Sequence, residues 1–172
     1  MEPERMRGAL LVTDLVAADW PQVAAIYAEG IATGVATFET DVPAWTDWDA
    51  RMLPGLRLVA RAEEGGPVLG WTACGRASAR WAYRGIAEHS VYVAGAARGR
   101  GIGRVLLDAL IERSEDAGFW TLQSSILADN AASLALHERC GFRVVGRRER
   151  IAQIDGEWRD SLLVERRSAR VT

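Results

Sequence analysis

Apolar positions along the chain follow strand and helix rhythms in an irregular succession. Leu10 to Leu15 is an apolar run of strand length, and after Asp19 the residues Trp20, Val23, Ala24, Tyr27 and Ile31 recur at helical spacing. Asp19 is the expected N-cap, with Pro21 in the first turn. Gly30 to Thr40, rich in small residues, predicts a loop or a broken helix, and a Trp-rich helical stretch from Pro43 is expected to stop near Pro54-Gly55. Leu56 to Ala62 and Val68 to Cys74 predict an antiparallel hairpin turned at Glu63 to Pro67. Gly75 to Gly85 is irregular, and Ala87 to Val93 predicts a strand. Ile102 to Asp116 predicts an amphipathic helix with Ile102, Val105, Leu106, Ala109 and Leu110 on one face and Gly118 after its end. Thr121 to Leu127 predicts a strand, and a helix from about Ala131 ends at Cys140-Gly141. Two strands, Phe142 to Ile154 and Trp158 to Glu165, turn at Asp155-Gly156. Strands and helices mix without strict alternation, which predicts an α/β fold with a sheet of mixed direction. No internal repeat appears, and 172 residues suit a single domain, 1–172, with its core over about 8–166.

Composition narrows the chemistry. The net charge of -2 argues against a surface built to hold nucleic acid or an anionic membrane, so any bound anion is expected to be held locally. Every basic side chain is Arg; with no Lys, Schiff-base chemistry and a P-loop lysine are excluded. Cys74 and Cys140 are too few for a disulfide scaffold and lie in no zinc-binding pattern, so no metal is expected and both read as reduced, buried thiols. Met1 to Gly8 is charged and lacks the apolar stretch of an export signal, and no apolar run is long enough to span a membrane. These features predict a soluble, cytoplasmic protein.

A predicted strand, the segment Ala94 to Arg104 and a predicted helix together direct turn and helix N-terminal N–H groups at one point, an arrangement that binds anions. Gly99, Gly101 and Gly103 remove side chains from that point, while Arg98, Arg100 and Arg104 add charged donors. Phosphate or pyrophosphate is the expected ligand, against the plainer reading of a tight turn with solvated arginines. A Rossmann fingerprint needs Gly where Arg104 stands, and a P-loop needs Lys-Ser/Thr at Arg104-Val105, so both nucleotide readings weaken.

With Arg98-x-x-Gly101-x-Gly103 in place, Asn130-x-x-Ser133-x-x-Leu136-His137 and Gly141-Phe142 resemble the paired cofactor motifs of GNAT acetyltransferases. Ala36-Thr37-Phe38-Glu39 and Glu88-His89-Ser90-Val91-Tyr92-Val93 are similar to the phosphinothricin and methionine-sulfoximine acetyltransferase branch, and the resemblance covers roughly 8–166. It implies a mixed, largely antiparallel central sheet splayed at the cofactor site, acetyl-CoA as co-substrate, and commonly a homodimer. It also implies that the Val91–Val93 stretch, Tyr92 included, holds the pantetheine and thioester, and that the amides of Gly99, Arg100, Gly101, Ile102, Gly103 and Arg104 hold the pyrophosphate. Asn130, in the second motif, is then expected at the cofactor or the incoming amine, and Ser133 at the cofactor. The chain departs from many relatives at Ser78 and Ile86, and carries Gly95-Ala96-Ala97 where Pro and Asp or His are common.

Acyl transfer to an amine needs a base, a fixed geometry, oxyanion donors and a proton for the departing thiolate. Glu88 is the candidate base, on a strand at the sheet opening; it could instead be an exposed carboxylate or pair with Arg80 or Arg84. His137 stands where many GNAT enzymes place a tyrosine proton donor, and serves as acid, as second base or as a structural histidine. His89 is expected on the opposite sheet face in a structural role. Substrate selection is expected from Phe38 and from Arg80, Trp81, Tyr83 and Arg84 of the Arg-rich loop, which could bind a small amino acid or analogue or remain solvated. A CoA-binding regulatory module without chemistry is the alternative, and a magnesium-dependent kinase or ligase is remote.

Overall fold

The computed structural model describes residues 10–172; Met1 to Gly8, which carry the export-signal expectation, lie outside the described residues. Seven strands pair in the order β1-β2-β3-β4-β5-β7-β6. They are β1 (Leu11–Asp14), β2 (Met52–Arg61), β3 (Gly70–Arg76), β4 (Ile86–Val93), β5 (Thr121–Leu127), β6 (Arg143–Ile154) and β7 (Glu157–Arg167). The helices are α1 (Trp20–Ala32), α2 (Trp45–Arg51), α3 (Ile102–Asp116) and α4 (Ala131–Arg139). All pairings are antiparallel except β4 with β5.

Alternation along the strands builds two apolar layers. Leu58, Cys74, Ala87 and Leu122 pack under α3, whereas Val59, Trp71 and Ala73 pack under α1 and α2. On the second face Trp48, Trp71, Tyr27 and Tyr92 form a continuous aromatic stack; the rings of Trp71 and Tyr92 are 4.7 Å apart. Positive φ at Asp155 and Gly156 makes the tight turn that was expected between the last two strands.

Four expectations require correction. Helix α1 runs through Gly30 to Ala32, because the Tyr92 ring lies 2.8 Å from where a Cβ on Gly30 would stand; this glycine makes room for a ring inside a continuous helix. Asp19 does not cap α1 with its side chain, which accepts from the Val16 N–H and pairs with Arg61 instead. The Trp-rich helix stops at Arg51, and Pro54-Gly55 fall within β2 at an irregularity in its pairing with β3, where a residue without N–H leaves no ladder bond unmade. On α3 the buried stripe includes Leu107 and Ile111 while Val105 is exposed, since the helix is rolled so that Leu106 and Leu110 sit over the sheet.

The parallel pair starts at a close packing contact. Trp120 and Thr121 both donate backbone N–H groups to the Gly85 carbonyl, at 2.8 and 3.1 Å, and the Trp120 indole occupies the space beside Gly85. A Cβ there would lie 2.1 Å from the ring. Gly85→Ala is therefore expected to cost about 2 kcal/mol or more through overpacking, seen as a fall of roughly 4 to 8 °C in Tm by thermal denaturation.

The core also contains two histidines, His89 and His137, each 2 % exposed. Burial, reinforced by the neighbouring His137 ring and opposed by the Gln123 backbone, pushes His89 down to about 3. Burial also lowers His137, against a raising contribution from the Ser133 carbonyl. Both rings are neutral in the fold, whereas the unfolded chain binds protons on them below about pH 6.5. The stability that depends on the neutral rings is thus intact above that pH and lost as pH falls below it, at about 1.4 kcal/mol per pH unit for His89 down to its folded value, with His137 acting in the same direction. Urea midpoints are expected to fall between pH 7.5 and pH 5.0, and to fall less in His89→Phe.

Candidate active site

The β4–β5 ladder lasts three residues, pairing Ile86, Ala87 and Glu88 with Thr121, Leu122 and Gln123. Beyond it β4 stays with β3 as far as Val93, and β5 stays with β7 as far as Leu127. The two strands diverge, and a cleft of about 770 Å³ opens beside them. Ala94 N–H bonds to the carbonyl of Leu69, the residue before β3, at 2.9 Å, so the backbone groups of Tyr92 and Ser90 also face β3. Those of Val91 and Val93 consequently face the opening, where no strand pairs with them.

At the end of β4 the chain makes a single 3₁₀ turn at Gly95–Ala97 and enters α3 through Gly99 and Gly101, both in the left-handed region at φ 74 and 79. The backbone N–H groups from Gly99 to Arg104 have no acceptor among the described residues. A Cβ at Gly99 or Gly101 would meet nothing within 4 Å, so glycine serves backbone geometry there, whereas at Gly103 it would crowd Leu136 at 3.1 Å. Arg98 and Arg100 are exposed and have no ion-pair partner among the described residues, while Arg104 is 3.4 Å from Asp108. Ile102 contributes its amide to the turn and buries its side chain in the core. Unpaired amides at a helix N-terminus, with exposed guanidinium groups around them, suit a pyrophosphate.

Glu88 is exposed, lines the cleft, and accepts a hydrogen bond from Gln123 Nε2 at 3.1 Å; neither Arg80 nor Arg84 pairs with it. Its neighbour His89 faces the α3 and α4 side, as alternation requires, and meets His137 with Nε2 atoms 2.9 Å apart. His137 Nδ1 lies 2.7 Å from the Ser133 carbonyl, so both nitrogens of His137 are engaged. Asn130 caps α4 by accepting from the Ser133 N–H at 3.1 Å and, with Ser133, lines the cleft. Tyr92 also borders the cleft, but its ring belongs to the aromatic stack and its backbone to β3.

Of the residues expected to select substrate, Phe38 lines the cleft. Arg80, Trp81 and Tyr83 do not: they form an exposed loop with a short 3₁₀ turn, Trp81 is 78 % exposed, and Arg84 sits over the Trp81 and Trp120 rings. The loop precedes β4 at the end of the sheet where the ladder is still closed, which keeps these side chains away from the opening. Two arginines that sequence reasoning missed, Arg51 and Arg76, line the cleft together with Glu39. Each terminates an element, α2 and β3 respectively, and their position follows from where those elements stop. Arg159, from β7, bonds the Gly34 carbonyl at 3.0 Å and Asp129 at 2.9 Å, tying the Phe38 loop to the turn before α4. No group of three or more His, Cys, Asp or Glu among the described residues could hold a metal, and none of their helices is long and apolar enough to cross a membrane.

Comparison with known proteins agrees with this geometry. Residues 20–142 match the acetyltransferase (GNAT) family model. The chain is 37 % identical to an L-methionine sulfoximine/L-methionine sulfone acetyltransferase of Pseudomonas paraeruginosa, over 87 % of this chain and 89 % of that protein. It is 39 % identical to a phosphinothricin N-acetyltransferase of Alcaligenes faecalis, over 86 % of this chain and 77 % of that one. The crystal structure of a GNAT superfamily phosphinothricin acetyltransferase from Sinorhizobium meliloti in complex with AcCoA superposes with a TM-score of 0.82 at 32 % identity, covering 92 % and 88 % of the two chains. The open sheet, the amide turn and these similarities lead to one assignment: the chain belongs to the GNAT family and is an acetyltransferase.

Proposed function

We propose that the protein transfers the acetyl group of acetyl-CoA to the amino group of a small amino acid or amino-acid analogue of the phosphinothricin or methionine sulfoximine type. The observation that carries this reading is the end of the β4–β5 ladder at Glu88, which leaves a carboxylate and two strand-edge backbones along one opening, with β4 running on into the turn of unpaired amides. When bound there, acetyl-CoA supplies a thioester carbonyl as electrophile and a thiolate as leaving group. The amides from Gly99 to Arg104, with Arg98 and Arg100, hold its pyrophosphate. The backbone of Val91 and Val93 holds the pantetheine as an added strand would be held.

Glu88 takes a proton from the substrate ammonium, directly or through a water, and thereby frees the lone pair that attacks. Arg51 and Arg76 bind the carboxylate of the acceptor, and Phe38 bounds its side chain. The cleft thus offers carboxylates for the ammonium end and guanidinium groups for the carboxylate end, as a zwitterion requires. The relatives' named substrates support the same chemical class.

The protein acts as a homodimer in this reading. Edge strand β6 exposes Val144, Val145 and Ile151, and Trp158 on β7 is 56 % exposed beside it, a surface suited to a second copy. The two buried free cysteines suit a reducing cytoplasm.

Acetyl-CoA turnover, followed as free thiol against L-methionine sulfoximine, phosphinothricin, free amino acids and simple amines, is expected to respond to the amino-acid analogues and not to simple amines. Glu88→Gln should lower kcat by about a hundredfold or more; an unchanged rate would remove Glu88 from the mechanism. Arg76→Ala should raise the KM of the amino acid by about tenfold or more through loss of a charge-assisted hydrogen bond, with the KM of acetyl-CoA unmoved. Equal changes in both KM values would place Arg76 outside the acceptor site.

A further inference from the structure

His89 is a buried, titratable side chain to which acetyl transfer assigns no task. Its Nε2 is 2.9 Å from His137 Nε2, the two rings meet edge to edge with centroids 5.1 Å apart and planes inclined by 29°, and Phe142 packs 5.1 Å from each. His137 Nδ1 is 2.7 Å from the Ser133 carbonyl oxygen, one helical turn back. A carbonyl oxygen only accepts, so Nδ1 of His137 carries a hydrogen. A neutral imidazole has one N–H, which leaves Nε2 of His137 as a bare lone pair. The short approach of the two Nε2 atoms then requires the hydrogen between them to belong to His89. Nδ1 of His89 is left unprotonated, and it is a buried nitrogen that makes no hydrogen bond. The other polar groups at the pair are uncharged: the Gln123 backbone lies beside His89, Cys74 stands opposite His89 on β3, and Ser133 precedes His137 on α4.

We infer that His89 is a positioning residue: with the Ser133 carbonyl, its Nε2–H locks His137 in the Nδ1–H tautomer, so that His137 forms a fixed, neutral wall of the cleft with neither nitrogen free to give a proton. This inference rests on the acetyl-transfer reading and takes from His137 the role of proton donor to sulfur that its place in the second motif implied. The proton balance closes without His137. The substrate ammonium gives one proton to Glu88, and the amine attacks the thioester carbon as the C–N bond forms. When the C–S bond breaks, the second nitrogen proton passes to the departing sulfur, giving amide and free thiol, and Glu88 returns its proton to solvent.

The chain has two histidines, so ring ¹⁵N spectra of the uniformly labelled protein contain two imidazole systems, and His89→Gln leaves His137 alone. At pH 7.5 the wild type is expected to show His137 protonated at Nδ1 and bare at Nε2, and His89 the reverse. His89→Gln, whose amide still donates, should retain that His137 pattern and most of kcat. His89→Phe cannot donate; His137 should shift toward the Nε2–H tautomer, and kcat should fall by about tenfold to a hundredfold through misplacement of the wall, with the KM of acetyl-CoA within about twofold. An imidazolium at His137, a third proton shared between the rings, or an Nε2–H His137 in the wild type would overturn the inference, as would a His89→Phe protein with wild-type kcat and an unchanged spectrum. The spectra need no substrate, so a protein that releases no thiol with L-methionine sulfoximine would defeat the acetyl-transfer reading while the tautomer lock is still decided.

Discussion

A parallel ladder that ends after three residue pairs is the constraint on which the rest of the site depends. β4 and β5 begin together because Gly85 receives two backbone hydrogen bonds from the Trp120–Thr121 segment and admits the indole against its backbone. They separate because each has a longer commitment on its other side, β4 to β3 over seven positions and β5 to β7 over seven. Strand twist carries the two halves of the sheet apart, and with nothing between them the inner backbone of β4 stays unpaired. In most sheets such an edge is a liability; here it is recessed between two apolar layers, where an extended ligand arm can complete it.

Strand β4 then performs three tasks through simple alternation. Its edge groups at Val91 and Val93 face the opening, while the even-numbered side chains Glu88, Ser90 and Tyr92 and the odd-numbered Ala87, His89, Val91 and Val93 divide between the two faces. Glu88 therefore reaches the side where the Phe38 loop lies, and His89 reaches α4. The same strand leads directly into the glycine turn, so the carboxylate, the unpaired edge and the anion-binding amides are held by one continuous segment.

Neutral buried groups and paired charges hold this arrangement in place. Arg159 fastens the Phe38 loop to the turn before α4, and Arg61 with Asp19 fastens β2 to the start of α1. Guanidinium groups perform all of these tasks in a chain without lysine, which suits sites where several planar donors must reach different elements. By contrast, Arg51, Arg76, Arg98 and Arg100 have no carboxylate partner among the described residues, and they stand at the cleft or at the glycine turn.

Local patterning was sufficient for most of the fold. Helices α3 and α4, strands β4 and β5, and the final hairpin could be read because each depends on spacing, capping and turn residues within a few positions. The glycine turn could also be read, since three glycines and three arginines between a strand and a helix have a direct chemical meaning. Glu88, His137, Asn130 and Phe38 came from resemblance joined to that reading. What the sequence alone determined is the succession of elements and the amide turn, because hydrogen bonding and steric preference act between near neighbours. Only the tertiary structure decided that Gly30 continues a helix beneath Tyr92, that Arg51 and Arg76 line the cleft while Arg80, Trp81 and Tyr83 stay outside it, and that His89 meets His137. Each of these depends on where one element stops or how it is rolled against another, and that is set by packing between residues far apart in the chain.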